Sequence, residues 1–233
     1  AASLFPNAAV KRMDLDTTRG KHAFGDLIRS VENGEVDILV GTQMVTKGLD
    51  FDRVGLVGIM SADNLLSYPD FRANERAFQL IEQVAGRTGR RTSKGKVVIQ
   101  AMKPRHSIIQ LALNHDFTGM QAKELSVRQE YQYPPFVRLI TITLKHRDQK
   151  LLQRAAGEFA RSLHSKIGDR FLGPEFAPIA RLKNLYQMQI IVKVDKGSIG
   201  AKVRERIKKS HQEVLLTPDF NRVKVVFDVD PNS

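Results

Sequence analysis

Asp37-Ile38-Leu39-Val40-Gly41-Thr42 is a short, nearly continuous apolar run closed by a glycine and a hydroxyl residue. A half-buried antiparallel strand would alternate, so this run reads instead as a strand buried on both faces of a parallel sheet. Just before it, Asn33-Gly34 suits a left-handed helix cap, and Phe24, Leu27, Ile28 and Val31 recur at helical spacing. Val10–Met13 precedes that helix as a strand, with Asp14, Asp16, Thr17 and Thr18 between them as turn and cap chemistry. On the other side, residues 54–60 and 96–102 form two more apolar strands. Between those two come a loop over 61–70, with a Tyr68-Pro69-Asp70 turn, and a helix from about Phe71 to Val84. Alternating strands and helices predict an α/β lobe with a mainly parallel sheet. Ligands of such sheets meet the carboxyl ends of the strands, so Gly41-Thr42 and the segment after Val84 are expected to share one edge.

Residues 105–129 turn helical through Ile108, Ile109, Ala112, Leu113 and Phe117, as one bridging helix or two. Tyr133-Pro134-Pro135-Phe136 then forces extended backbone, which predicts a division into residues 1–130 and 131–233. Beyond it, 138–145 alternates as a strand, and Leu152, Ala156, Phe159, Leu163 and Ile167 make a helical stripe. An irregular strand at 171–179, broken by Gly173-Pro174 and Pro178, a stronger one at 187–194, a helix at 198–215 and a strand at 222–229 complete the chain. Strand, helix, strand, strand, helix, strand is the plan of an α+β ferredoxin-like domain.

Composition narrows the function classes. With 233 residues and 42% hydrophobic content the chain builds one large core or two ordinary ones, and it carries no cysteine. Disulfides, thiolate metal sites and cysteine nucleophiles are therefore excluded, and a reducing, cytoplasmic setting is expected. No apolar run reaches the roughly 18 to 20 residues of a membrane helix, so no membrane partner is expected. The opening Ala1-Ala2-Ser3-Leu4-Phe5 reads as the middle of a domain. The net charge is +12, made of 18 basic and 15 acidic residues over 1–130 and 19 and 10 over 131–233. A second half so basic points to an anionic partner: nucleic acid, ribosomal RNA or an acidic peptide. Gly20-Lys21 is followed by His22 and Gly95-Lys96 by Val97, so no phosphate-cradling glycine-lysine loop occurs. The six histidines show no ligand spacing, and Asp228 and Asp230 read as a solvated strand end, so no metal site is expected.

Two segments carry candidate chemistry. In Glu82-Gln83-Val84-Ala85-Gly86-Arg87-Thr88-Gly89-Arg90-Arg91 a helix gives way to loop, Gly86 and Gly89 let the exit bend, and Arg87 and Arg90 stand about one turn apart. Each offers a permanently charged, forked donor set to the same anion. Earlier, Gly41-Thr42-Gln43-Met44-Val45-Thr46-Lys47-Gly48-Leu49-Asp50-Phe51 follows a strand end. There Thr42 offers a hydroxyl and an amide to a phosphate, Gly48 permits close backbone approach, and Asp50 accepts from sugar hydroxyls.

Thr42 through Lys47-Gly48-Leu49-Asp50 resembles motif V of superfamily 2 helicases, and Gln83 to Arg90 resembles their motif VI, Q-x-x-G-R-x-x-R. More narrowly, Asp14-Leu15-Asp16-Thr17, Gly41-Thr42-Gln43-Met44, Asp50-Phe51, Pro69-Asp70-Phe71-Arg72, Glu75-Arg76, Tyr133-Pro134-Pro135-Phe136 and Asp228-Val229-Asp230-Pro231 resemble the PriA (primosomal protein N-prime) family of replication-restart helicases. The resemblance implies a RecA-like second helicase lobe followed by a domain likened to a ribosomal-subunit protein. It also implies ATP with Mg2+ bound between two lobes, only the second of which is recognisable here. By position, Arg90 would be the finger on the γ-phosphate with Arg87 beside it, Gln83 and Gly86 would shape that loop, and Asp50 would hold the ribose. Thr42 would touch the DNA backbone, and Lys47-Gly48 would couple the two sites. Many such helicases have arginine where this chain has Lys47, whose ammonium lacks the fork. The family's zinc-binding cysteines are absent.

The expectation is therefore the carboxy-terminal part of an ATP-dependent 3′-to-5′ DNA helicase that restarts stalled forks, unable to hydrolyse ATP alone. Its implied partners are branched DNA, the acidic tail of single-stranded DNA-binding protein and other primosome proteins, in the bacterial cytoplasm at the nucleoid. Arg181 and Lys183, near Tyr186, are candidates for partner contact. A non-catalytic basic module that binds nucleic acid or an acidic peptide is the alternative, and a ribosome-associated structural protein is a third.

Overall fold

The computed structural model describes residues 3–14, 17, 22–42, 54–86 and 95–231. They fall into two compact units: residues 1–68 with 72–121, and residues 69–71 with 122–233.

In the first unit β1 (Val10–Met13) pairs in parallel with β2 (Ile38–Gly41), from Val10 opposite Ile38 to Met13 opposite Gly41. Helix α1 (Ala23–Glu32) connects them and ends where Gly34 takes a φ of 77°. A second parallel pair joins β3 (Leu56–Ile59) and β4 (Lys96–Ile99). Between them come α2 (Ala62–Leu66) and α3 (Ala73–Ala85), and after them α4 (Ser107–Leu113). Ala77, Phe78 and Ile81 of α3 meet Ile108 and Ala112 of α4 and Met120 in one core, with Ile59 and Ile99 packed against it. The parallel pairing agrees with the sequence pattern.

Two expectations need correction. β2 is not buried on both faces: Val40 is 46% exposed, and α1 has no fully buried residue. Burial on both faces needs helices on both, and the described residues do not provide them. Residues 61–70 are not all loop either, because Leu65 and Leu66 pack against the α3 core and draw Ala62–Leu66 into a helix that is too short to be stable by itself.

Helix α5 (Phe117–Glu130) contributes residues to both units. The rest of the second unit is a four-stranded antiparallel sheet of β5 (Arg138–His146), β6 (Phe171–Leu182), β7 (Leu185–Val194) and β8 (Lys224–Val229), in the order β6-β7-β5-β8. With α6 (Gln149–Ile167) and α7 (Ser198–Ser210) this is the ferredoxin-like arrangement. The stripe Leu152, Ala156, Phe159, Leu163 and Ile167 lies against Ile140, Ile142, Leu144, Ile190 and Val192 of the sheet. A π-helical turn, His211–Leu215, extends α7.

β6 runs three residues further than its sequence suggests. Register shifts around Gly173-Pro174 and Pro178 interrupt it, but Arg181 pairs with Tyr186 and Leu182 with Leu185. The two-residue loop Lys183-Asn184 has φ values of 48° and 61°, as the tight hairpin turn matched to strand twist requires. Gly173, at φ 95°, is required where it stands, since a Cβ there would lie 2.6 Å from the Gln189 carbonyl oxygen.

Candidate nucleotide and nucleic-acid site

Parallel pairing puts the carboxyl ends of β1 and β2 side by side, and both continue into polar residues. After Met13, which is fully buried, Asp14 and Thr17 bond reciprocally: the Asp14 amide donates to Thr17 Oγ1 at 2.9 Å, and the Thr17 amide to Asp14 Oδ1 at 2.9 Å. The amide bond from Thr17 outweighs desolvation and, with the Arg12 guanidinium, holds the Asp14 carboxyl below the usual range. After Gly41, opposite Met13, comes Thr42, exposed at the strand end. This edge is thus an ordered turn with a hydroxyl beside it, the kind of place where a phosphate docks.

The second cluster is the end of α3. Phe78, Ile81 and Val84 bury one side of the helix and leave Gln83 exposed on the other. Gly86 closes the helix, its amide donating to the Glu82 carbonyl at 2.9 Å. Beside this turn the Glu82 carboxylate lies 3.0 Å from Nδ1 of His115, an anchor that the sequence pattern did not reveal because 33 residues separate the two. Of the candidate residues, Thr42, Gln83 and Gly86 are thus placed at strand and helix ends. Lys47, Gly48, Asp50, Arg87 and Arg90 lie outside the described residues.

The second unit adds a stack that sequence reasoning missed. Phe71 and Tyr133 lie face to face with centroids 5.0 Å apart and planes 12° from parallel. The Arg128 guanidinium covers Phe71 at 5.1 Å, and the Lys193 ammonium covers Tyr133 at 4.5 Å while donating to the Tyr131 carbonyl at 2.7 Å. Burial lowers the pKa of Lys193, and burial together with the Asp70 charge raises that of the Tyr133 phenol. In the sequence the two rings stand in separate segments, Pro69-Asp70-Phe71-Arg72 and Tyr133-Pro134-Pro135-Phe136, with nothing to show that they meet.

Among the described residues no group of three or more histidine or carboxylate side chains is placed to hold a metal ion, and no helix is long and apolar enough to cross a membrane. At the other end of β7 from Lys193, Arg181 lies over the Tyr186 ring at 5.1 Å.

The topology of the second unit is ferredoxin-like, and comparison with known proteins identifies the first as a helicase second lobe. Residues 7–92 match the helicase conserved C-terminal domain, and residues 129–232 match the primosomal protein N C-terminal domain. The chain belongs to the PriA family. It is 39% identical over 94% of its length to replication restart protein PriA of Bacillus subtilis (strain 168), and 39% identical over 98% to that of Synechocystis sp. (strain ATCC 27184 / PCC 6803 / Kazusa). To that of Treponema pallidum (strain Nichols) it is 35% identical over 98%. The chain spans 28%, 27% and 34% of these relatives' lengths.

Proposed function

We propose that the chain supplies the second lobe and the carboxy-terminal domain of an ATP-dependent, 3′-to-5′ DNA helicase that restarts stalled replication forks and begins primosome assembly in the bacterial cytoplasm, at the nucleoid. The supporting observation is the placement of Thr42 at the exposed carboxyl end of β2 and of Gln83 and Gly86 at the exposed end of α3, within a segment that matches a helicase lobe.

In this reading residues 1–130 are the helicase part and 131–233 the basic domain. Two permanent cations, a carboxylate and two glycines make a residue set that fits a nucleoside triphosphate with Mg2+, the group whose phosphoryl transfer drives strand separation. Arg90 and Arg87 neutralise charge on its phosphates, Gln83 and Gly86 set the loop that carries them, and Asp50 takes the ribose. Thr42 contacts the DNA backbone, with Lys47 and Gly48 between the two functions. This sequence has no glycine-lysine phosphate loop, so it cannot by itself hold a triphosphate and orient the attacking water. Branched DNA, the acidic tail of single-stranded DNA-binding protein and other primosome proteins are the partners.

The test is DNA-stimulated ATP hydrolysis by the full-length protein carrying Arg90→Ala. Turnover should fall by roughly 10³-fold or more while DNA affinity holds. The 233-residue chain alone should turn over no ATP; robust hydrolysis by it, kept after the same substitution, would sink the proposal. A second reading, a non-catalytic module for nucleic acid or an acidic peptide, draws on the excess charge of 131–233, and an unaltered rate in the full-length variant would favour it.

A further inference from the structure

The two ends of the four-stranded sheet are charged in different ways. Where β5 and β6 begin and β7 and β8 finish, cations meet carboxylates: Arg138 donates Nε to Asp230 at 2.8 Å, and Arg170 pairs with Asp195. The opposite end collects Lys145 and Arg147 where β5 leaves, Arg181 and Lys183 at the β6–β7 turn, and Arg222 and Lys224 where β8 enters. None of these six has a carboxylate partner among the described residues. Five are exposed and Lys145 is half-buried.

Lys145 and Lys224 stand directly opposite each other across β5 and β8. Like charges so placed repel and weaken a sheet, and an anion lying over both turns the repulsion into attraction. Two carboxylates occupy the adjoining loops. Asp148 is taken up by the start of α6, accepting from the Lys150 and Leu151 amides at 2.8 and 3.1 Å, and Asp219 alone does not balance six cations. Arg181 is held in place by the Tyr186 ring beneath it.

The cations are spread across the width of the four-stranded sheet and not focused on one pocket. At about 4.8 Å between strands the row is roughly 14 Å wide. That is comparable with the rise along the helix axis over about four phosphates of one strand of a duplex, at roughly 3.4 Å each. We propose that this end of the sheet binds the phosphodiester backbone of a nucleic-acid strand. The proposal rests on the reading of the chain as a DNA-acting protein and adds the surface through which its basic domain does so.

The test is fluorescence anisotropy with the whole chain and a labelled forked DNA, and the same fork in RNA, at 50 and 200 mM salt. Two variants, Lys145→Gln/Lys224→Gln and Arg181→Ser/Lys183→Ser, are measured separately, so that a folding defect in one leaves the other informative. Lys202→Gln/Lys208→Gln on α7 is the control, and thermal unfolding checks each protein. Each test pair should weaken binding about tenfold and make the plot of log affinity against log salt shallower by about 2, with the control unchanged. Equal losses on both forks assign the site to the shared backbone, and a loss on DNA alone assigns it to DNA; both support the proposal. Folded variants that bind like wild type overturn this site and leave the helicase reading standing. A wild-type chain that binds neither fork overturns this site and the claim that the basic domain engages DNA. Loss of binding to a labelled acidic peptide, with fork binding intact, overturns it in favour of a protein partner.

Discussion

Asp148 shows how one side chain fixes the start of a helix and makes its stability depend on pH. Amide donation from Leu151, then from Lys150, outweighs desolvation and holds its carboxyl below the usual range. A carboxyl whose pKa is depressed by folding stabilises the protein above its unfolded pKa, and that contribution disappears as pH falls through the folded pKa. Asp148→Asn keeps an acceptor at the cap and removes the charge. The variant should melt below wild type at neutral pH, and the gap should close under acid, below the ordinary carboxylate range; a gap constant with pH would contradict this. The cap follows from the sequence once the helical stripe after it is recognised. The Asp14–Thr17 bonds follow from turn residues in the same way. The Glu82–His115 contact does not, because it depends on α3 and α4 packing together.

At the scale of elements, α6 carries the second unit's core. Leu152, Ala155, Ala156, Phe159 and Leu163 are all completely buried, on the side turned toward β5 and β7. Phe159→Ala should cost about 3 to 5 kcal/mol in chemical denaturation, whereas removal of an exposed side chain from the same helix should cost little. This helix was fully legible, because a residue every three or four positions leaves one consistent face. Alternation made β5 legible for the same reason. The end of β6 was not: Pro178 marks an interruption, and only pairing of Arg181 and Leu182 with β7 brings the strand back. In the first unit β2 showed the limit of composition, since an apolar run states what a strand tolerates and not what covers it. The candidate site was legible as motifs on segments, and its described residues do stand at strand and helix ends.

Over the whole molecule, charge and contacts divide the work unevenly. The excess of 18 basic over 15 acidic residues in 1–130 is small, against 19 over 10 in 131–233, so under the proposed function the salt-dependent part of nucleic-acid binding is expected mainly from the second. The chain has four tyrosines and no tryptophan, which gives the stack around Phe71 an optical consequence. No indole masks phenol emission or absorbance. Tyr68 and Tyr131 are exposed, while Tyr133 lies between a phenyl ring and an ammonium group with its ionisation displaced upward. An alkaline titration followed by phenolate absorbance should therefore show a late-ionising class of tyrosine. Tyr133→Phe should remove that class, and a single shared step in wild type would mean that the ring is as open to water as its neighbours. Phe71 precedes α3, so this phenol is a built-in reporter, needing no label, on the segment from which that helix starts.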